Sequence, residues 1–375
     1  LDLPGAAGAA RGLDACRTLA KICLVRYLSV PPKLWQLAYA VHGDAEKAGC
    51  AATPVCMHAA RKTLTSVTQE LLRLLMLHSS TPDMMAPEQI ELADRVIAQL
   101  GGDFTLRPRG ATDSPFCFAP ASDRPPCRAA GRPPGTDTEI RYFGAGAGFS
   151  ALERLYKQLA TVTTADIPAF GKDIAQHVQI SAIQHLLAFW GATSPYLPPA
   201  RSEATGALRV VHRYAGIWQH LSRARSATIA LTLAEDGDDA PQVPETWTLL
   251  DAGGNELGLE ISQRSYDWAR CGDIVGVLMH GDDECWRGVI RSMHAELGRS
   301  LRVNIAILSR DPQAVQLRVL VGKDEESLYT EETARQFGFN LVRAIILPVD
   351  SAVSPKPTLL LPPESWKEGR VYEAA

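Results

Sequence analysis

The strongest constraint in this 375-residue sequence is a change of hydrophobic periodicity near residue 199. Before that point apolar residues recur at helical spacing, as at Val67, Leu71, Leu74 and Leu75. After it, short apolar runs recur at roughly ten-residue intervals with Gly, Asp, Asn or Pro between them, which is typical of antiparallel strands. The sequence therefore predicts an α+β fold, with a helical domain followed by an antiparallel barrel or sandwich.

The same pattern predicts the domain boundaries. Residues 1–30 are expected to be a flexible or truncated N-terminal segment, because LDLPGAAGAARGL has neither an initiator Met nor the order of a signal peptide. Residues 31–199 form the predicted α-helical domain, in which the Pro- and Gly-rich stretch 107–145 is a loop with FCF at 116–118 as its one strand-like piece. Residues 200–375 form the predicted β domain, interrupted by one short helix.

Charge and composition exclude several classes of partner. The net charge of −4 and the pI near 6.2 argue against general binding to nucleic acid or to an anionic membrane, since both require a basic excess. No apolar run approaches the roughly 20 residues of a membrane span. Eight cysteines without a CxxC pair indicate reduced, scattered thiols. We therefore expect a cytoplasmic protein with no membrane span and no nucleic-acid partner.

Motifs of catalysis are missing from the sequence. It has no GxSxG, no P-loop and no GxGxxG that opens a helix, and GAGAG at 144–148 follows no convincing strand, so a flexible turn is predicted there. Cys50, Cys56 and His58 approach metal-ligand spacing, but no second Cys/His pair follows. Cys271 and Cys285 begin apolar strands, where thiols are usually buried. No enzyme, catalytic residue, metal site or cofactor is predicted.

Several segments of the second half carry a family resemblance. They are WTLLD before a loop and LGLEI, then ARCGDIVGV, then WRGVIRSM, and finally LLLPP before the last strand. In this order, after a helical region, they resemble the PilZ-domain family, and most closely a proteobacterial subgroup with a helical N-terminal region. The resemblance covers roughly residues 33–373. It implies a PilZ-like β-barrel and a bacterial signalling protein that acts as a receptor or adaptor for cyclic di-GMP.

The resemblance also implies a ligand loop, which this chain keeps only in part. The family's DxSxxG loop supplies a carboxylate for the guanine edge, a hydroxyl and a glycine. Over residues 251–256 the carboxylate is Asp251, whereas Gly253 stands where Ser is expected and Glu256 where Gly is expected. The same loop has a purely structural interpretation, because Gly253, Gly254 and Asn255 suit a tight hairpin.

The family's second motif, RxxxR, supplies guanidinium groups for phosphates and guanines. Arg209 and Arg213 match it by letters, but the family's register places them inside the first strand and expects the motif earlier, where only Arg201 is available. Arg209 and Arg213 are alternatively solvated groups on a strand face. The implied ligand-binding residues are Arg201, Arg209, Arg213, Asp251, Gly253 and Asn255.

Two functions remain open at this point, and a thiol-dependent or hydrolytic enzyme is a remote third, since it would need a compact Cys/His/Asp cluster in the fold. In the first, the barrel binds cyclic di-GMP and relays the signal to an unidentified protein partner. In the second, the degenerate motifs mean that a PilZ-like domain has lost the nucleotide and serves only as a protein-interaction module.

Overall fold

The computed structural model of the chain divides into two compact units. Unit 1 comprises Leu1–Pro198 and His294–Arg299, and unit 2 comprises Pro199–Met293 and Ser300–Ala375. No helix within the described part of the chain is both long enough and apolar enough to span a bilayer. The structure describes residues 5–58, 61–131, 139–161, 173–197, 199–225, 243–261, 268–279, 284–295, 300–320, 341–349, 356–366 and 370–374.

Helices form most of unit 1, as predicted. Local signals fix where two of them begin: the Ser66 hydroxyl accepts a hydrogen bond from Gln69 N at 3.2 Å, and the Gln89 side chain accepts one from Ala86 N at 2.8 Å. Leu71 and the other apolar positions of these helices are buried in one core. The helices described in unit 1 are α1 (Ala6–Val25), α2 (Pro32–Lys47), α3 (Val67–Ser79), α4 (Pro87–Leu100), α5 (Ala147–Thr161) and α6 (Gln176–Trp190). Between α2 and α3 in the chain, β1 (Val55–His58) and β2 (Arg61–Thr65) form a two-stranded antiparallel sheet.

The N-terminal segment is not flexible as the sequence suggested. Helix α1 buries Ala10, Leu13 and Ala20 completely in the core of unit 1. Arg17 of the same helix forms ion pairs with Asp14 and with Asp94 of α4. The expectation for residues 1–30 rested on the missing initiator Met and ignored alanine, the strongest helix former, whose short side chain fits closely packed helices.

The stretch 107–145 also contains more structure than expected. FCF is a strand, β4 (Phe116–Phe118), as predicted, but it belongs to a four-stranded sheet. The other strands are β3 (Thr105–Arg107), β5 (Cys127–Arg128) and β6 (Arg141–Gly144), and the order is β3-β6-β4-β5. The prediction of one strand-like piece in a loop is wrong because strands of two to four residues are too short to show a period.

The GAGAG segment is likewise ordered at a strand-to-helix connection. Gly144 ends β6 and Ala147 begins α5, so the prediction that no strand precedes this segment is wrong. A Cβ at Gly144 would lie 2.2 Å from the carbonyl oxygen of Asp113. The glycine therefore serves a close contact between two backbone segments.

His78 of α3 is expected to make unit 1 sensitive to acid. Its ring meets Trp35 edge-on with centroids 5.0 Å apart, and burial lowers the pKa of His78 from 6.5 to about 4. As the pH falls below 6.5, the unfolded chain binds a proton that the folded ring resists, so the free energy of unfolding decreases. In urea unfolding, His78 alone should contribute a loss of about 1 to 2 kcal/mol on going from about pH 7.5 to about pH 5. His42, His185 and His212, whose pKa values are also lowered by burial, add to the total loss.

A His78→Gln variant separates this effect from the titration of carboxylates. The variant should lose about 1 to 2 kcal/mol less than the wild type over the same pH interval. Equal losses in the two proteins would contradict the role given to His78.

Unit 2 contains a closed barrel of six strands. The strands are β7 (Ser202–Val211), β8 (Glu245–Gly253), β9 (Glu256–Ile261), β10 (Ile274–Met279), β11 (Glu284–Ala295) and β12 (Leu301–Ser309). Around the barrel they follow the order β10-β11-β12-β9-β8-β7. Leu301, Val303 and Ile305 of β12 are buried, whereas the intervening Arg302 is exposed, as expected when one face of a strand lines a core. The predicted α+β class, with a helical N-terminal region and an antiparallel barrel in the C-terminal half, is confirmed.

A second sheet and the predicted short helix complete the described part of unit 2. The sheet consists of β13 (Gln313–Leu320), β14 (Leu341–Leu347), β15 (Thr358–Leu360) and β16 (Val371–Ala374) in the order β15-β14-β13-β16. The helix α7 (Tyr214–Arg225) packs with these strands in an apolar cluster. The strand expected for SATIALTLA at 226–234 lies outside the described residues.

Arg287 of β11 is an unusual member of this interior. Its side chain is fully buried, and within the described residues none of its three guanidinium nitrogens has a hydrogen-bond acceptor. Burial lowers the pKa of Arg287 to about 10. A buried charge without an acceptor opposes folding, because it has lost its hydration and gained nothing in exchange.

Replacing Arg287 with methionine is therefore expected to stabilise the protein. The free energy of unfolding in urea should rise by about 2 kcal/mol at neutral pH. Arg318→Met on β13 is the control, since Arg318 is exposed and its replacement should change stability by less than about 0.5 kcal/mol. A loss of stability in Arg287→Met would contradict the account and point to an anion bound to the guanidinium.

Candidate functional site

The segment WTLLDAGGNELGLEI forms a tight β8–β9 hairpin. Gly253 pairs with Glu256, and Gly254 and Asn255 form the turn between them. Gly254 has a φ of +59°, the left-handed conformation that such turns require. Asn255 O accepts a hydrogen bond from Ile307 N of the neighbouring β12 at 2.7 Å. The structural interpretation of this loop is confirmed, and the hairpin also places its polar residues on one face.

That face is the outer surface of the barrel. Asp251 of β8 lies opposite Gly258 of β9, and Gly258 lies opposite Asn304 of β12, so the three form a row across three strands. A Cβ at Gly258 would lie 2.4 Å from Asp251 Oδ1. The glycine in the middle of the row thus leaves room for the carboxylate to lie across β9.

The side chain of Arg201, a residue just before β7, contacts residues of this row. Its Nη1 donates to Asp251 Oδ1 at 3.1 Å and to Asn304 Oδ1 at 2.6 Å, while its Nη2 donates to Glu256. All three charged side chains are largely buried, with 15%, 14% and 9% of Arg201, Asp251 and Glu256 exposed. Charge-assisted hydrogen bonds in such a place are stronger than exposed ones. The guanidinium is therefore held firmly on the sheet.

Both departures from the family's loop have a physical reason in this arrangement. A Cβ at Gly253 would lie 2.2 Å from Ala200 O and 2.9 Å from the Cα of Arg201, so the serine of the family's motif has no room here. Glu256, at the position of the family's glycine, binds the Arg201 guanidinium. At this position the chain thus has a carboxylate that contacts its own arginine.

Three further arginines surround this centre. Arg302 of β12 donates to Asp251, Arg291 Nε of β11 lies 3.5 Å from Glu256 Oε1, and Arg310 donates to Asn255 Oδ1 at 3.3 Å. Arg302 and Arg291 are partly exposed, at 48% and 38% of their side chains. Together with Arg201, Asp251, Glu256, Asn255 and Asn304, they form what we call the arginine–carboxylate cluster.

Arg209 and Arg213 lie elsewhere in unit 2. Arg209 is exposed on β7 opposite Thr246 and Leu278, eight positions from Arg201 and thus roughly 25 Å along an extended strand. Arg213 is exposed, has a φ of +62° and directly precedes α7. The structure brings together Arg201, Asp251, Gly253 and Asn255 of the predicted set, and it does not bring Arg209 or Arg213 to them.

Sequence reasoning missed the contribution of β12. Arg302 and Asn304 are alternate polar residues in the otherwise apolar run LRVNIAILS, so they share the outer face of that strand. This alternation with a period of two could have predicted that Arg302 and Asn304 share one face of the strand. The pairing of β12 with β9 was not readable, because antiparallel registers between strands so far apart in sequence leave no local pattern.

Among the described residues, the other candidates that the sequence singled out form neither a catalytic site nor a metal site. Cys271 and Cys285 are buried, as predicted, and burial raises the pKa of Cys285 to about 11, which keeps its thiol protonated. Among the residues that the structure describes, no group of three or more His, Cys, Asp or Glu side chains could hold a metal ion. The arginine–carboxylate cluster is thus the candidate site that the described geometry supports.

The fold and the arginine–carboxylate cluster together indicate a ligand-binding protein with a helical region and a small barrel. A helical region accompanies a small antiparallel barrel, whose outer face carries arginines among carboxylates and amides, groups suited to recognising a polar anionic ligand. Residues 3–110 match the family model described as the N-terminal domain of the cyclic-di-GMP receptor FimW. The match covers less than a third of the chain and extends over α1 to α4. At the level of this N-terminal match the predicted function is confirmed, since the matched family is that of a cyclic-di-GMP receptor, a bacterial regulatory protein.

Neither the curated proteins nor the solved structures give a significant match to this chain.

Proposed function

We propose that this chain is a cyclic di-GMP receptor with a PilZ-like barrel, and that the arginine–carboxylate cluster is its ligand site. The observation that carries the proposal is the contact of Arg201 Nη1 with Asp251 Oδ1 at 3.1 Å, between residues fifty positions apart. They belong to the residues that the family resemblance implies for phosphate, Arg201 with Arg209 and Arg213 as alternatives, and for the guanine edge, Asp251 with Asn255. The match of residues 3–110 to a cyclic-di-GMP receptor supports the same function.

The chemistry of the ligand suits the cluster. Cyclic di-GMP has two phosphates, which guanidinium groups bind bidentately, and two guanines, whose N1–H and N2–H edges donate to carboxylates. In the proposed complex Arg201 and Arg302 bind phosphate or stack on guanine, and Asp251 accepts from the guanine edge with Asn255 beside it. Both arginines donate to Asp251 in the structure. Binding thus requires that these ion pairs be exchanged for contacts with the ligand.

Glu256 makes the exchange of ion pairs for ligand contacts less favourable. Its carboxylate competes with a phosphate for Arg201, and it repels an approaching anion. We therefore propose a receptor of reduced affinity compared with a loop that keeps the family's glycine. Arg209 and Arg213 stay predictions, and their places on β7 and before α7 favour the solvated role over a ligand role.

The transmitted signal starts at Arg201. This residue immediately precedes β7, so its release from Asp251 and Glu256 alters the backbone that leads into the barrel, within residues 195–213. We propose that the altered segment is read by a protein partner in the cytoplasm, with no bond made or broken in the ligand.

A second function is favoured by one observation. The Arg201 guanidinium donates hydrogen bonds to Asp251, Glu256 and Asn304, an arrangement that would be stable without any nucleotide. In that case the barrel is a PilZ-like interaction module, and the cluster only stabilises its outer face.

Base selectivity distinguishes these functions. A receptor that reads guanine through Asp251 should bind fluorescent cyclic di-GMP and release it to unlabelled cyclic di-GMP, while cyclic di-AMP competes at least about 30-fold less well. Asp251→Asn should reduce that preference to about threefold or less, because an amide presents a donor beside the guanine donors. Equal competition by the two dinucleotides against the wild type would contradict the proposal, and failure of the probe to bind at all would favour the interaction module.

A further inference from the structure

Two of the eight cysteines are direct neighbours in the small sheet of unit 1. Cys117 of β4 lies opposite Cys127 of β5, and their Sγ atoms are 3.8 Å apart. Cys117 is buried and Cys127 is exposed. The expectation of scattered thiols is therefore wrong for this pair, because the two strands meet through a turn whose sequence shows no strand pattern.

The backbone around the pair suits a covalent bridge. Ala129 N donates to Pro115 O at 2.9 Å, and the register of β4 and β5 then makes Cys117 and Cys127 a hydrogen-bonded pair, two positions further along. Such opposed residues have Cα atoms about 5.5 Å apart, within the usual range for disulfide-linked cysteines. Rotation about the side-chain bonds together with a slight approach of the two strands would bring the sulfurs to bonding distance without a change of strand register.

We propose that Cys117 and Cys127 are a redox modification site, at which a reversible disulfide forms. The oxidant is a low-molecular-weight disulfide of the glutathione type. The exposed Cys127 thiolate attacks one sulfur of that disulfide and releases the first small thiol, which leaves a mixed disulfide on Cys127. The Cys117 thiolate then attacks Cys127 Sγ and releases the second small thiol. Two protein thiols are oxidised, one disulfide is reduced to two thiols, and both protons are returned to the released thiols.

The position of the bridge gives it a structural consequence. Arg128, the residue after Cys127, donates to the carbonyl oxygens of Phe189 and Gly191 at the C-terminal end of α6, and it lies 5.0 Å over the ring of Phe116. On the other side, Arg124 O accepts a hydrogen bond from Tyr39 OH at 3.1 Å. The disulfide would fix the segment between these two anchors and hold the cap on the end of α6.

Peptide mapping of the oxidised full chain tests the proposal. The protein is incubated with oxidised glutathione, alkylated and, without reduction, digested by chymotrypsin, which cuts after Phe118 between the two cysteines. The expected result is a linked peptide pair that contains Cys117 and Cys127, a mass loss of about 2 Da, and complete reversal by dithiothreitol. Retention of both thiols, stable glutathione on Cys127 without a bridge, or linkage of either residue to another cysteine would each overturn the proposal.

Two single variants complete the test. Cys127→Ser changes an exposed residue and should abolish the loss of about 2 Da, whereas Cys56→Ser, at another exposed cysteine, should leave it unchanged. A loss of about 2 Da that persists in Cys127→Ser would assign the oxidation to other thiols and overturn the proposal.

Discussion

Replacing Arg201 with alanine is expected to weaken cyclic di-GMP binding by at least about 100-fold, which corresponds to about 2.7 kcal/mol. The guanidinium is the centre of the cluster, in contact with Asp251, Glu256 and Asn304. Its removal takes away the group proposed to bind the ligand and leaves two carboxylates that repel phosphate. Binding is measured by displacement of fluorescent cyclic di-GMP at fixed salt.

Two variants control this result. Arg201→Lys keeps the charge but loses the planar pair of donors, so it should fold and show an intermediate loss of about tenfold. Arg209→Ala removes an exposed arginine from the far end of β7 and should change affinity by less than about twofold. If Arg209→Ala weakened binding as much as Arg201→Ala, the literal RxxxR pair would be the ligand site, and the arginine–carboxylate cluster would not.

Replacing Glu256 with glutamine is expected to strengthen cyclic di-GMP binding by about tenfold, or about 1.4 kcal/mol. The amide oxygen can still accept the hydrogen bond from Arg201, so the cluster keeps its shape. The negative charge that competes with phosphate and repels the ligand is gone. The gain should appear in the same displacement assay.

The matched control is Glu373→Gln, which removes one negative charge from exposed β16 in the other sheet of unit 2. It should leave affinity within about 1.5-fold of the wild type. A loss of affinity in Glu256→Gln would contradict the competing role and would instead make Glu256 a second carboxylate that reads guanine.

Periodicity predicted most of the fold because the long elements carry a clear pattern. The helix α3 repeats its apolar residues at helical spacing, and β12 alternates Leu301, Val303 and Ile305 with polar or small residues. The elements that were missed are short or rich in small residues. The three residues of β3 and the two of β5 cannot show a period, and the buried face of α1 mixes alanines with Leu13 and Leu24, which weakens its apolar pattern.

Only the residues of the candidate site that belong to the family's motifs could be predicted from the sequence. Asp251 and Arg201 were named from the family's motifs, and the structure places them in contact. The role of Glu256 could not be predicted. Comparison with the family's motif shows that Glu256 stands where glycine is expected, but it does not show which cation this carboxylate contacts. Asn304 and Arg302 depend on the register between β9 and β12, which only the folded barrel defines.

The central claim is that this chain binds cyclic di-GMP although its motifs are degenerate. Isothermal titration calorimetry of the full chain with cyclic di-GMP at about 0.15 M salt tests it most directly. We expect saturable heat with a dissociation constant in the range of about 1 to 10 μM. No heat up to about 500 μM ligand would contradict it and would leave the barrel as an interaction module.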